Sequence, residues 1–256
     1  MVRACVFVLV IGLNQYASAQ KQYSISVGTG IKTLQSHDQA ASPLVYRGFG
    51  LPLALRVSME SERWRHQLDL NMISSSLTNA YSMQSEAGSR LNTWHWLNAE
   101  YSLFYQFKEG QVLDHFIGGN FRSLLFYREY AHLDGYSWEA LNGLYFSYRA
   151  AYHLNRHHFR VGVSLPLVAY LHRPEYTVDE QFLEDLFKKQ GVLKYGHFSM
   201  PFQDFWQYRV NMAYGYDLTE KWKMEVTIDL EQYQVEFPLK SQSITFQTLT
   251  QITYLF

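Results

Sequence analysis

The sequence predicts an all-β fold, a transmembrane antiparallel up-and-down β-barrel of about ten strands with one short helix in a long extracellular loop. Three observations lead there. Long stretches alternate with a period of two and keep charge off one face. The connections between these stretches run alternately short and long. The chain opens with the layout of an export signal, and its mean hydropathy of -0.24 leaves no room for a hidden membrane helix.

The N-terminus, MVRACVFVLVIGLNQYASAQ, carries one positive charge at Arg3, an apolar run over 4–13, and Ala17, Ser18 and Ala19 ahead of Gln20. This is a secretory signal peptide with a small-x-small cleavage site. The run is too short for a spanning helix, which needs about 20 apolar residues. The expected organisation is a cleaved signal at 1–19 and one barrel domain at 20–256. Cys5 is the only cysteine and leaves with the signal, so the mature chain has no disulfide, thiolate metal ligand or thiol nucleophile.

The 22 Lys+Arg and 23 Asp+Glu nearly cancel, which gives no electrostatic footprint for nucleic acid. Aromatic residues are the outlier at 17%, with 20 Tyr and 17 Phe. Such excess fits the interfacial girdles of a membrane barrel.

In chain order, the strands are expected near 22–31, 50–60, 63–74, 93–107, 115–128, 138–154, 159–171, 204–218, 222–236 and 243–256. The seventh and eighth windows show the rule. Leu144, Phe146, Tyr148, Ala150, Tyr152 and Leu154 oppose Tyr145, Ser147, Arg149 and His153. Phe159, Val161, Val163, Leu165, Leu167, Ala169 and Leu171 oppose Arg160, Ser164 and Tyr170. WQYRVNMAYGYDL, from Trp206, alternates over thirteen residues, aromatic at both ends and aliphatic between. Trp222, Met224, Val226, Ile228 and Leu230 then oppose Lys223, Glu225, Thr227, Asp229 and Glu231. Segregation this strict is expected where one face meets lipid, because a midplane Arg or Lys there costs about 2–4 kcal/mol. Turns at 61–62, 155–158 and 219–221 are tight and 108–114 is modest. The alternate connections are 32–49, 75–92, 129–137, 172–203 and 237–242, four of them long, as extracellular loops tend to be.

The longest connection contains TVDEQFLEDLFKKQG. Thr177 with Glu180 forms a capping box, Asp179 adds charge at the helix start, Lys188 and Lys189 suit its end, and Gly191 stops it. Phe182, Leu183, Leu186 and Phe187 share one face of this expected helix, which would serve as a lid or pack on neighbouring loops.

The chain ends QITYLF, with Ile252, Tyr254 and Phe256 on one face of the last strand. This resembles the C-terminal signature of bacterial outer-membrane β-barrel proteins, and the aromatic-rich style is similar to Bacteroidota barrels. The resemblance implies recognition by the barrel-assembly machinery, outer-membrane lipid as surroundings, and the outer membrane of a Gram-negative bacterium as location.

The expected lumen carries Arg56, Arg65, Asp69, Glu100, Arg122, Arg149, Arg160, Arg209, Lys223, Glu225, Asp229 and Glu231. Mixed signs in a barrel of about ten strands suggest side chains that fill the interior, since open channels belong to barrels of about sixteen. No zinc-binding H-E-x-x-H, P-loop, dinucleotide fingerprint or G-x-S-x-G occurs, so neither metal nor cofactor is expected. Outer-membrane barrel enzymes, such as omptin-type proteases and lipid A deacylases, assemble sites from separate strand tops. His95, His132, Ser137, Glu139, His172 and Asp204 fall near that rim, although the omptin Asp and His motifs cannot be placed. The expected function is a non-enzymatic, closed or narrow barrel presenting loops to a small-molecule or protein partner. The alternatives are a rim hydrolase on lipid or peptide and a narrow solute channel.

Overall fold

The structure, a computed structural model, describes residues 21–256 except 41, 80–91, 111, 131–134, 174–195, 200, 202 and 237–238. The expected signal at 1–19, the expected helix at 177–190 and the rim candidate His132 lie outside the described residues.

Twelve described strands make one sheet. They are β1 (Gln22–Asp38), β2 (Val45–Gly50), β3 (Leu53–Glu60), β4 (Trp64–Thr78), β5 (Asn92–Lys108), β6 (Leu113–Tyr130), β7 (Gly135–Leu154), β8 (His157–His172), β9 (Gly196–Ser199), β10 (Phe205–Asp217), β11 (Trp222–Val235) and β12 (Ser241–Leu255). The first strand pairs antiparallel with the last, Ser24 opposite Leu255 through Asp38 opposite Ser241, which closes the ring. Ten wall positions result, because two of them are split. β3 pairs the lower part of β1 and β2 the upper part, with Leu51 and Pro52 between them. β8 likewise pairs β10 low down and the short β9 at its upper end. A proline has no N–H to give a ladder, so the break at Pro52 follows from its chemistry.

The seam between β1 and β12 is tight. A Cβ on Gly30 would stand 1.8 Å from the Thr248 carbonyl oxygen, so only glycine fits there. At the opposite wall Asn155, φ 54°, turns β7 into β8, and asparagine tolerates that left-handed conformation better than most residues.

Several expectations need correction. Two short strands join the ten, and the strands run further than their apolar stripes. β1 continues to Asp38 and β2 begins at Val45, which reduces the expected 32–49 loop to residues 39–44. β6 ends at Tyr130 and β7 begins at Gly135, so the 129–137 loop becomes 131–134. Of the four connections expected to be long, 32–49 and 129–137 are thus shortened, while 75–92 and 172–203 fall largely outside the described residues, with β9 inside the second.

The reason lies in the wall. Over its lower part the outward residues are apolar, as with Val27, Val57, Leu70, Phe121, Phe146, Val161, Met212 and Ile228, all exposed. Toward the loop end the pattern inverts. Gln35, Arg47 and Ser74 point outward there, while Leu34, Tyr46, Ile73, Leu77, Trp94, Tyr130, Leu141, Phe205, Tyr233 and Val235 pack inside as one apolar cluster. β6 is 18 residues long. Such a strand tilted by about 40° rises about 45 Å, well beyond an apolar band of about 25 Å. In the upper segments an apolar cluster packs inward and polar residues appear on the outer face, so these segments lack the unbroken apolar stripe of a membrane strand.

The last correction concerns the phase of β8. Leu144 pairs with Val168 but Tyr145 pairs with Pro166, so the register slips by one residue at a β-bulge. Beyond it the faces exchange. Ala169 and Leu171, expected on the outside, are 1% exposed and join the internal apolar cluster. The bulge falls where Pro166 withholds an N–H from the ladder.

Candidate functional site

The lumen is the part of the molecule where chemically active side chains concentrate, and alternation brings every expected lumen residue inward. Separate strands supply each partner. Near the turn end, Arg56 holds Asp69 at 2.6 Å and Glu225 at 2.7 Å, and Arg160 reaches the same Glu225 at 2.9 Å. In the middle, Arg209 binds Glu100 at 2.6 Å and Asp229 at 3.0 Å, while Arg122 binds Glu231 at 2.9 Å and also Asn98. Asn120 donates to Glu100 and Gln207 to Glu231, which satisfies further carboxylate lone pairs. Lys32 lies 3.3 Å over the Trp96 ring and donates to Gln247. Three cations, Lys32, Arg122 and Arg209, thus meet three carboxylates, Glu100, Asp229 and Glu231, in the middle layer.

A further cluster closes the loop end. Asp38, 2% exposed, accepts from Arg128 at 2.7 Å, Arg173 at 2.5 Å and Ser137 at 3.3 Å, and Glu139 stands 3.8 Å from Arg173. The Arg128 guanidinium also covers the Phe126 ring at 3.9 Å. The sequence reading missed Lys32, Asp38, Arg128 and Arg173 as lumen residues. Arg128 was legible, six residues from Arg122 and so in phase with it. Lys32 and Asp38 were hidden in an expected loop, and Arg173 follows the bulge that reverses β8.

The contacts across the lumen join distant walls. β6 meets β11 through Arg122 and Glu231, β5 meets β10 through Glu100 and Arg209, and β1 meets β6 through Asp38 and Arg128. The internal spaces that remain are small, about 30 and 10 Å³ in the middle layer and about 160 Å³ toward the turn end. The smallest of these is at the limit for one water molecule.

The described rim candidates do not converge. Ser137 donates to Asp38, not to an imidazole. His172 accepts from Trp138 Nε1 at 3.0 Å. His95 faces outward beside Tyr127, ring centroids 5.8 Å apart, with Ser74 as its neighbour across the β4–β5 ladder. Asp204 alone finds a histidine, His197, at 2.8 Å and partly exposed. A nucleophile needs a base within about 2.6–3.2 Å. Among the described residues, no group of three His, Cys, Asp or Glu is arranged to hold a metal ion. At the other end, Phe256 packs edge-on against Tyr254 at 5.0 Å, and its N–H donates to the Tyr23 carbonyl, which ties the expected assembly signal to β1.

No protein-family model and no curated protein matches the chain. Solved structures do. The outer membrane protease OmpT from Escherichia coli aligns with a TM-score of 0.57 at 9% identity, over 94% of this chain and 99% of that one. The translocator domain of the autotransporter NalP from Neisseria meningitidis aligns at 0.46 and 10% identity, over 99% and 94%. Neisserial surface protein A aligns at 0.38 and 8%, over 93% and 99%. At these identities the likeness is one of fold, and the chain has the closed, antiparallel fold of the bacterial outer-membrane β-barrels.

Proposed function

We propose that this protein is an integral outer-membrane barrel, closed to solutes, which works without catalysis by presenting its extracellular end to a partner. The observation that carries this is the set of charge pairs joining distant walls of the lumen, capped by the apolar cluster at the loop end. A channel needs a continuous wet path, and here ion pairs join distant walls in the middle layer while apolar side chains pack across the loop end. Membrane embedding rests on the inversion of the wall. Outward apolar residues such as Val27, Leu70, Phe146 and Met212 form a band over the lower part, and toward the loop end outward polar residues such as Gln35, Arg47 and Ser74 interrupt it. With the lumen's middle layer filled, the long connections between β4 and β5 and between β8 and β10 are the surfaces left for recognition. Within the second, the expected helix face of Phe182, Leu183, Leu186 and Phe187 would shield the barrel mouth, and changing both phenylalanines to Ser should raise protease sensitivity of that loop.

The test is reconstitution of the full chain into planar bilayers. Wild type should show no conductance steps above baseline at neutral pH. Stable, reproducible steps from wild type would sink the closed-barrel reading and favour the solute channel. A hydrolase is the second reading, supported by the His197–Asp204 contact at 2.8 Å and by a fold shared with a protease. Cleavage of a peptide library by wild type, lost in His197→Ala, would establish it.

A further inference from the structure

The cavity of about 160 Å³ near the turn end has an uneven charge balance. Arg56, Arg65, Arg149, Arg160 and Lys223 line it, against the carboxylates Glu60 and Glu225. Asp69 and Asp217 flank it and take Arg56 at 2.6 Å and Lys223 at 3.4 Å. Glu225 is shared by Arg56 and Arg160, and Glu60 reaches Arg65 only at 3.8 Å. Asp114, behind His153, is engaged by that imidazole at 3.4 Å and by the Gly110 N–H. Arg149 pairs with no carboxylate among the described residues. It is 8% exposed, lies 4.0 Å over the Phe104 ring, and donates one long hydrogen bond, 3.5 Å, to Gln67 Oε1. The Arg160 Nε–H is also buried without a partner.

A guanidinium has five N–H donors in a fixed fork. A buried cation without a counter-charge is costly, and an aromatic face offsets that only in part. The unspent donors of Arg149 and Arg160 border one space, with Arg65 weakly held beside them. We propose that this cavity binds a phosphate group entering from the turn end, with Arg149 as its anchor and Arg160 and Arg65 as further donors. A carboxylate has two oxygens and one charge. A phosphate or phosphomonoester presents more acceptors and carries about -1.5 to -2 at neutral pH, which suits several forks better. The entry side follows from packing, since the apolar cluster fills the loop end while this cavity adjoins the mouth. The ligand is the soluble phosphoryl group, either free or as a small ester. This site lies in the lumen and does not depend on whether the loops bind a partner.

The experiment is calorimetric titration of the purified full-length barrel in a nonionic detergent. Inorganic phosphate, glycerol phosphate and chloride are compared at matched ionic strength. Phosphate should bind saturably and chloride should not. Binding by inorganic phosphate points to the free ion, and binding by glycerol phosphate alone points to an ester. Arg149→Gln should weaken binding by about ten- to a hundredfold, the range for losing charge-assisted hydrogen bonds. Lys240→Gln, away from the cavity, should bind as wild type does. If Arg149→Gln fails to give a heat-modifiable band, Arg149→Lys keeps the charge without the fork, and should fold and bind several-fold more weakly. Equal responses to phosphate and chloride, no saturable binding of either phosphate compound, or full affinity in a folded Arg149 variant would overturn the proposal.

Discussion

Replacing Asp38 should loosen the loop end of the barrel more than any other single charge change there. Its carboxylate is 2% exposed and joins the ends of β1, β6 and β7 to the segment after β8 through Arg128, Ser137 and Arg173, while its other contact orders the backbone at Ala40. Asp38→Ala leaves Arg128 and Arg173 buried without their shared counter-charge. Arg173 keeps the Leu239 carbonyl and the Glu139 contact at 3.8 Å, whereas Arg128 keeps the Phe126 ring. Breaking a buried pair by removing one partner costs about 3–5 kcal/mol. The structure supports the upper part of that range, because one carboxylate serves two guanidinia. Asp38→Asn preserves shape and can still accept from Ala40 N–H, so it isolates the charge and should lose most of the same amount. The assay is urea unfolding of the barrel in lipid vesicles, read by tryptophan fluorescence. Trp94, fully buried and edge-on to Phe126 at 5.9 Å, reports on the same layer. Pairing Asp38→Asn with Arg128→Met should give a double-mutant loss clearly smaller than the sum of the singles. An Asp38→Asn barrel within about 0.5 kcal/mol of wild type, the range of an ordinary surface change, would refute the reasoning.

Three further outcomes are expected. Spin labels at Leu167 and Met212 should be reached by a lipid-soluble quencher, while labels at Ala169 and Asn211 should not; quenching at Ala169 would remove the bulge from β8. Leu70→Arg, on the outward apolar band, should lower stability in bilayers by about 2–4 kcal/mol; a loss of less than about 0.5 kcal/mol would mean that this face does not meet hydrocarbon. Deleting Phe256 removes the ring against Tyr254 and the N–H bond to Tyr23, and should reduce the heat-modifiable, outer-membrane fraction in cells. Normal yield of the truncated chain would remove the terminal aromatic from assembly.

Much of this architecture was legible in the sequence because it is set by local periodicity. Side chains alternate across a strand, so a stripe such as Val210, Met212 and Tyr214 placed Arg209 and Asn211 inside with no knowledge of the partners. Windows whose stripes survived to the barrel's middle gave ten walls and a charged lumen. The same rule applies at the loop end, but there Leu34 and Tyr46 turn inward, so 32–49 reads from its sequence as a loop. The flip of Ala169 and Leu171 was hidden for another reason, since one extra residue at Pro166 changes the phase without altering composition.

The sequence by itself determined the fold class and, over the lower and middle part of the wall, the strand faces, because these depend on residues only two positions apart. The tertiary structure alone decided the closure of β1 on β12 and which cation meets which carboxylate. Arg56 and Glu225 are 169 residues apart, and Arg122 and Glu231 are 109 apart. No local pattern sets such pairings, since they follow from ring order, tilt and register. That also explains why Arg149, no different from Arg122 in the sequence, has no carboxylate partner among the described residues.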